Sequence, residues 1–181
     1  MKFKKISLPR TLGSETDIKR PLNGVRVLEL GQIIAGTYGG QMLTDLGAEV
    51  IKVEAPTGDL GRLPSVAPYK HLSGLFLTFN RNKKSIVIDL KTKDGLAVFY
   101  DLVKTADIVV DNFRPGVLAK LNVDYDDLKV INPRIIQCSV TGFGLEGEYK
   151  DLPALDIIIQ SISGLLSVSY THLTLPTKRI V

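Results

Sequence analysis

The sequence predicts an α/β fold in which a parallel β-sheet is covered by helices on both sides. Two observations carry this prediction. Short runs rich in Val, Ile and Leu alternate along the chain with segments whose apolar residues recur at helical spacing. The strand-like runs are apolar on both faces, as strands buried inside a parallel sheet are, and no internal repeat interrupts the alternation.

The first part of the chain predicts two strands joined by a helix. Residues 25–30 form a β-branched run that ends at Gly31. Several glycines then open a helix over residues 41–46, and Gly47 ends it. A second strand follows over residues 49–53, bounded by a proline and a glycine.

The second part continues the alternation of strands and helices. Leu96, Phe99, Tyr100 and Val103 lie at helical spacing after the third strand, and they predict an amphipathic helix. The predicted strands cover residues 85–90, 107–111 and 134–140, and the predicted helices cover residues 93–104, 117–121, 126–131 and a last segment from Asp151 or Pro153 to about Leu166.

The loops after the strands are the expected ligand-binding regions. In open parallel sheets, ligands bind beyond the carboxyl ends of the strands. Prolines and glycines recur without periodicity over residues 55–74, which predicts a long loop, and loops of that length in a compact domain are usually functional. The four loops concerned are residues 31–40, 54–84, 111–116 and 141–152.

Composition and charge exclude several classes of protein. The chain has 181 residues, of which 44% are hydrophobic and 23% are charged, as in ordinary globular domains. No apolar run approaches the roughly 18 residues of a membrane span, so no membrane segment is expected. The net charge of +4 has no aromatic-interleaved basic stripe beside it, so no nucleic-acid partner is expected.

Cysteine and histidine are scarce. The single cysteine, Cys138, cannot form an internal disulfide, which favours a reducing compartment such as the cytoplasm. Because Cys138 lies in the apolar run 134–140, we expect a buried core thiol and not a nucleophile. His71 and His172 are too few and too far apart in sequence for a histidine-rich metal site, so no metal is expected.

The two ends of the chain differ from the middle. Residues 1–20 carry four lysines and two arginines without an apolar stretch, and we interpret them as a solvated basic arm. Residues 168–181 resemble the translated read-through of a transposon adapter used in sequencing libraries, although a short strand with a basic tail would also fit their composition. We therefore expect native sequence to stop near Ser167 and assign the domain to residues 21–167.

A glycine motif late in the chain would by itself suggest dinucleotide binding, but its place in the chain argues against this function. Residues 142–147 match the G-x-G-x-x-G pattern of dinucleotide-binding proteins and follow a strand. That strand is the fifth and not the first, and the loop does not lead straight into a helix. A bound pyrophosphate needs a helix amino terminus at this place, so a nicotinamide or flavin dinucleotide is disfavoured.

Charged residues gather around the predicted crevice. Residues 80–84 place three cations just before the third strand, which fits either a solvated edge or an anion site. Lys52, Glu54, Asp59 and Arg62 add charge around the same crevice. At the end of the fourth strand, Asn112 offers an amide, and Phe113 offers either a stacking ring or a core side chain.

These motifs, in this order, resemble family III (CaiB/BaiF-type) acyl-CoA:carboxylate CoA-transferases. The likeness covers residues 21–167 almost without gaps, and the order and spacing of the blocks make it specific. The matching blocks are residues 21–30, 35–36, 46–54, 58–59, 80–85, 89–91, 106–107, 112–116, 132–134 and 139–144, followed by Asp156, Gln160 and residues 163–164.

The resemblance implies a Rossmann-like large domain, here incomplete, and an interlocked homodimer. It implies coenzyme A and acyl-CoA as substrates, a small carboxylic acid as acceptor and no permanently bound cofactor. By matching position, coenzyme A would contact Lys83, Asn112, Phe113 and Lys120. The nucleophilic aspartate of the family lies a few dozen residues beyond Asp156, for which we expect a supporting role, so the chain alone should be inactive.

Two other functions remain as alternatives. α-Methylacyl-CoA racemases are similar, but they have a catalytic histidine where this chain has Leu155, and proton shuttling needs two acid/base groups. The other alternative is a non-catalytic fragment that binds coenzyme A. The donor and acceptor acids are not specified by these residues, and succinyl transfer to glutarate is a guess from overall likeness.

Overall fold

The predicted strands form a single parallel sheet in the computed structural model, which describes residues 20–63 and 72–169. The strands are β1 (Arg26–Glu29), β2 (Glu49–Glu54), β3 (Lys84–Val87), β4 (Ile108–Asp111) and β5 (Ile136–Ser139). Their order is β3-β2-β1-β4-β5, and all neighbouring strands are parallel. The predicted α/β class is confirmed, and the chain reverses its direction of travel across the sheet between β1 and β4.

Helices make the connections between the strands. They are α1 (Ala35–Asp45), α2 (Gly74–Asn80), α3 (Lys93–Val103), α4 (Val117–Lys120), α5 (Tyr125–Ile131), α6 (Asp156–Ile162) and α7 (Leu165–Val168), with a 3-10 turn at Leu60–Arg62. Side-chain caps begin three of them: Ser73, Thr92 and Asp124 accept hydrogen bonds from backbone N–H groups at the starts of α2, α3 and α5.

The helix predictions are wrong in three places. Helix α1 begins six residues before the predicted start at residue 41, because its glycines lie inside the helix. Helix α2 begins at the end of the predicted long loop, where no helix was expected. The predicted last helix is two helices, since Gly164 between them has a φ of 77° and interrupts the helical conformation.

The core lies on both faces of the sheet. Alternate residues of a strand point to opposite faces. Leu28 and Ile51 therefore join a larger cluster with residues of α3 and α5, whereas Val27 and Val50 join a smaller cluster on which Leu43 of α1 packs. Helices cover the sheet on both sides, as the apolar strand runs predicted.

The edge strand β5 departs from the prediction. Ile136 is 60% exposed, and Cys138 is an exposed free thiol. The expectation that Cys138 is a buried core residue is therefore wrong. The run 134–140 is apolar enough for a central strand, but β5 lies at the edge of the described sheet, where its residues are exposed or half-buried.

The chain divides into two compact units, residues 1–140 and residues 141–181. The first unit contains the sheet. In the second, which is described through residue 169, a loop leads to α6 and α7, and none of its described residues is buried. Because α6 begins only at Asp156, the glycine motif at 142–147 is not followed directly by a helix, as expected.

Three predicted features fall partly or wholly outside the described residues: the basic arm, His71 with the middle of the long loop, and most of the tail that contains His172. The domain limits at residues 20 and 167 stay predictions. None of the helices that the structure describes combines the length and apolar character that a bilayer crossing requires.

Candidate functional site

A cavity of about 280 Å³ opens at the carboxyl ends of β1, β2 and β3. Its wall is largely apolar, and polar groups stand among the lining residues. These residues are Leu30, Gln32, Val53, Glu54, Ala55, Ile88, Asp89, Leu90, Lys91, Phe113, Val117 and Leu121. An apolar cleft with a few polar groups, placed beyond the carboxyl ends of parallel strands, is the usual form of a ligand site in such a sheet.

The turn after β1 approaches the end of β4 closely. A β-carbon at Gly31 would lie 2.9 Å from the carbonyl carbon of Gly36, and one at Gly36 would lie 3.3 Å from the carbonyl carbon of Asp111. A β-carbon at Gly31 would force the backbone to shift and one at Gly36 would be crowded, so glycine suits both positions. The start of α1 is thereby fixed at the position where the strand order reverses, which is where open α/β sheets bind ligands.

Asn112 joins the loops that follow β1 and β4. Its side-chain oxygen accepts a hydrogen bond from Gln32 N at 2.8 Å, and its side-chain nitrogen donates one to Gln32 O at 3.0 Å. The next residue, Phe113, is half-buried, lines the cavity and packs against the larger core cluster. Phe113 is thus both a core residue and a cavity residue. The two interpretations from the sequence, a core side chain and a ring available for stacking, are therefore compatible.

Lys83 lies in a buried cluster of ion pairs. Its side chain is 2% exposed, and its ammonium lies 2.7 Å from a carboxylate oxygen of Glu29 and 2.7 Å from Thr37 O. The other carboxylate oxygen of Glu29 accepts a bond from Lys52 at 3.0 Å, and Lys52 also pairs with Asp59 at 2.7 Å. Lys83 therefore has several protein partners, whereas the sequence suggested either a solvated edge or an anion site.

Burial shifts the titration of this cluster. Burial raises the pKa of Glu29 above its ordinary value, and the ammonium groups of Lys52 and Lys83 oppose this rise without cancelling it. Burial likewise lowers the pKa of Lys83, and the Glu29 carboxylate opposes the fall. Both shifts favour the neutral forms, as expected when charges leave water.

Glu54 forms a second ion pair at the cavity wall. Its two carboxylate oxygens accept hydrogen bonds from Arg62 at 2.6 and 2.7 Å, and the Arg62 guanidinium lies 3.9 Å from the centre of the Phe76 ring. Burial acts to raise the pKa of Glu54, but the hydrogen bonds from Arg62 and Ser85 outweigh it and lower the pKa to about 2. Glu54 therefore carries its charge throughout the physiological range.

The remaining predicted site residues are exposed. Lys120 is the last residue of α4, and its ammonium has no hydrogen-bond partner among the described residues. Asp156 is the first residue of α6 in the second unit and accepts a hydrogen bond from Gln160. This is the position of a helix-start acid stabilised by the helix dipole. Whether coenzyme A contacts Lys83, Asn112, Phe113 or Lys120 stays a prediction.

Sequence reasoning missed two cavity residues and one supporting carboxylate. Gln32 and Lys91 line the cavity, and neither was assigned a role. Lys91 could have been found, because it directly follows the third predicted strand. Asp59 was noted as charge near the crevice, but its bond to Ile33 N, 26 residues away, has no signal in the sequence. Within the described ranges, no group of His, Cys, Asp or Glu side chains is arranged to hold a metal ion.

Comparison with known proteins gives a family match. The model described as CoA-transferase family III matches residues 22–179. This match runs through most of the segment 168–181, whose foreign origin stays a prediction.

Curated relatives and a solved structure agree with that match. The succinate–glutarate CoA-transferase of Agrobacterium fabrum is 46% identical over 158 residues, which is 83% of this chain and 40% of the relative. The acetyl-CoA:oxalate CoA-transferase of Acetobacter aceti is 42% identical, covering 82% of this chain and 38% of the relative. The chain thus spans about two fifths of the length of these relatives. A CaiB/BaiF family protein from Brucella suis has the same fold, with a TM-score of 0.77 and 42% identity over 81% of this chain and 40% of that one.

Proposed function

The chain belongs to CoA-transferase family III, and we propose from this membership that it forms the coenzyme-A-binding part of an enzyme that moves coenzyme A from an acyl-CoA to a carboxylic acid. The observation that supports this function most directly is the cavity at the carboxyl ends of the strands, with Phe113 in its wall. Residues 21–167 would make up this binding domain.

The proposed contacts match the chemistry of coenzyme A. The adenine ring is flat and stacks on aromatic side chains, so it suits the apolar wall that Phe113 forms. The phosphates need cations, and two exposed lysines are available, Lys91 at the cavity and Lys120 at the end of α4. Asn112 would meet the carrier from the side of the β1–α1 turn, since it is bonded to Gln32. The predicted contact of Lys83 would require its ammonium to leave Glu29 and Thr37 O, because the side chain is 2% exposed.

The proposed chemistry proceeds through an aspartate of the full-length enzyme. Its carboxylate attacks the thioester carbonyl, which forms a mixed anhydride and releases the coenzyme A thiolate. The thiolate then attacks the aspartyl carbonyl, releases the donor acid and leaves an aspartyl thioester. The acceptor carboxylate attacks this thioester to form a second anhydride, and the thiolate takes the acceptor acyl group and frees the aspartate.

The 181-residue chain should bind coenzyme A without transferring it. No acidic residue follows Asp156 in the sequence, and Asp156 itself is proposed only as a supporting group. The names of the two relatives include succinate, glutarate and oxalate, which favours dicarboxylic acids as substrates of the full-length protein. The proposal also includes the homodimer that the resemblance implies for that protein.

Calorimetry with coenzyme A tests the proposal. We expect saturable binding to the wild-type chain, and about tenfold weaker binding after Phe113→Ala, because stacking of a base on an aromatic ring is worth about 1–3 kcal/mol. Phe143→Ala is the matched control, since Phe143 lies in the second unit and pairs with Tyr149. Binding of NADH in place of coenzyme A would contradict the proposal. Exchange between succinyl-CoA and a dicarboxylate above background would contradict the inactivity of the chain alone.

A further inference from the structure

The turn after β1 is held by side chains from three distant parts of the chain. Each of its three residues, 31–33, has a backbone group bonded to a different side chain. Lys52 donates a hydrogen bond to Gly31 O at 2.7 Å. Asn112 bonds both the N–H and the carbonyl of Gln32, and Asp59 accepts a hydrogen bond from Ile33 N at 3.0 Å. Side chains 21 to 80 residues away thus replace the regular ladder hydrogen bonds that end with β1.

The third residue of this turn has a backbone conformation that its side chain disfavours. Ile33 has a φ of 63°, in the left-handed region that β-branched residues rarely adopt. Its side chain is 42% exposed, so burial of the side chain does not account for the conformation. The surrounding structure must stabilise such a residue, and the bond from Ile33 N to Asp59 is the contact placed to do so.

Asp59 is itself fixed by a charge. Its second carboxylate oxygen lies 2.7 Å from the ammonium of Lys52, a contact between charges that is not a hydrogen bond, and the side chains of Asp59 and Lys52 are 1% and 2% exposed. The first oxygen also accepts a bond from Gly61 N at 2.6 Å. Because removal of one partner would leave the other charge buried and uncompensated, Lys52 and Gly61 N together hold the Asp59 carboxylate where it meets Ile33.

We propose that Lys52 and Asp59 are positioning residues, whose buried pair holds the β1–α1 turn in the shape that keeps Gln32 in the wall of the cavity. This inference rests on the proposed function, because the cavity is taken as the coenzyme A site. If the pair of Lys52 and Asp59 is lost, Ile33 leaves the left-handed conformation for part of the time. The apparent affinity for the carrier then falls in proportion to the fraction that stays competent.

The test separates positioning from folding by relieving the strain at Ile33. Asp59→Asn should raise the Kd for coenzyme A about tenfold, if the turn keeps its binding conformation in about one molecule in ten. Ile33→Gly alone should leave the Kd within about twofold, because glycine adopts a positive φ freely. The double variant should recover most of the lost affinity, although it should keep the lower melting temperature, since Lys52 stays buried without a charged partner at position 59.

Glu49→Gln is the matched control. Glu49 is 13% exposed and pairs with Arg26 at 2.7 Å, but it lies at the amino end of β2, opposite the cavity. We expect this variant to lose stability and to keep the wild-type Kd. If Asp59→Asn does not fold, Asp59→Glu replaces it, because the longer side chain keeps the charge and displaces the carboxylate from Ile33 N.

The outcomes for this inference and for the proposed function are distinct. If the wild type binds coenzyme A and Asp59→Asn has the Kd of the Glu49→Gln control, or if Ile33→Gly restores nothing, the inference is overturned while the proposed function stands. If the wild type does not bind coenzyme A, the proposed function fails. Hydrogen exchange at the Ile33 amide then decides the turn-holding part: faster exchange in Asp59→Asn supports it, and unchanged exchange overturns it.

Discussion

Gly39 and Gly40 are neighbours in α1 with opposite surroundings. A β-carbon at Gly40 would lie 1.7 Å from a carboxylate oxygen of Glu29, whereas nothing lies within 4 Å of one at Gly39. Glu29 cannot move aside, because it is fully buried and bonded to Lys52 and Lys83. We expect Gly40→Ala to lower the free energy of unfolding by about 3 kcal/mol, measured by urea denaturation.

Gly39→Ala provides the control for this prediction. Alanine is a better helix former than glycine by about 0.5–1 kcal/mol, so this change should raise the free energy of unfolding by that amount. If both substitutions shifted stability in the same direction, the packing of Glu29 beneath α1 would be wrong.

The low pKa of Glu54 predicts that the folded protein loses part of its stability in acid. Its pKa falls from the ordinary 4.5 to about 2 in the folded protein, so the unfolded chain binds the proton first as the pH decreases. The contribution of ionised Glu54 to the free energy of unfolding is therefore complete above about pH 5 and is lost as the pH falls toward 2. We expect Glu54→Gln to cost about 2 kcal/mol at pH 6 and almost nothing near pH 2.

Urea denaturation at a series of pH values measures this difference. Glu146→Gln, which removes an exposed carboxylate of the second unit, should follow the wild-type curve. A constant gap between wild type and Glu54→Gln from pH 6 to pH 2 would show that the pair with Arg62 does not hold Glu54 ionised.

At the level of single site residues, the sequence predicted where groups lie better than what they touch. Asn112 and Phe113 follow a strand, so their place at the carboxyl edge could be predicted from the alternation of elements. The partner of Lys83 could not be predicted, because Glu29 is 54 residues away and meets Lys83 only through the pairing of β1, β2 and β3. Buried ion pairs depend on sheet order, which local patterns do not contain.

Among the secondary-structure elements, the central strands were the most predictable. Their β-branched runs are buried on both faces, so composition and environment agree. Helix α1 was predicted too short because glycine has low helix propensity, and the close packing of Gly36 and Gly40 outweighs that propensity. Helix α2 was missed for a related reason, since Gly74 begins it and prolines precede it, although Ser73 is a recognisable cap.

For the whole molecule, the alternation of elements predicted a parallel sheet but not the strand order. The order β3-β2-β1-β4-β5 brings the ends of β1 and β4 together, and that neighbourhood creates the turn contacts and the cavity. The exposed face of β5 shows the limit of the reasoning from composition. An apolar run indicates that a strand is suited to burial, but it does not say which residues cover the strand.

The division of the chain into two units predicts that residues 1–140 fold and bind coenzyme A without residues 141–181. All buried apolar residues of the described chain lie between Val27 and Ile135, and the cavity wall ends at Leu121. A protein that ends at Val140 should therefore keep a cooperative unfolding transition, with a free energy of unfolding within about 1 kcal/mol of the full chain. Its Kd for coenzyme A should stay within about twofold, because no lining residue is removed.

A protein that ends at Leu121 is the control for this last prediction. It keeps the whole cavity wall but loses α5, β5 and three fully or almost fully buried residues, Val123, Leu128 and Ile135. Loss of that many core contacts should cost several kcal/mol, which is comparable with the total stability of a domain of this size. We therefore expect no cooperative transition in circular dichroism. If the protein ending at Val140 behaved in the same way, residues 141–181 would have to stabilise the sheet, and the division into two units would be wrong.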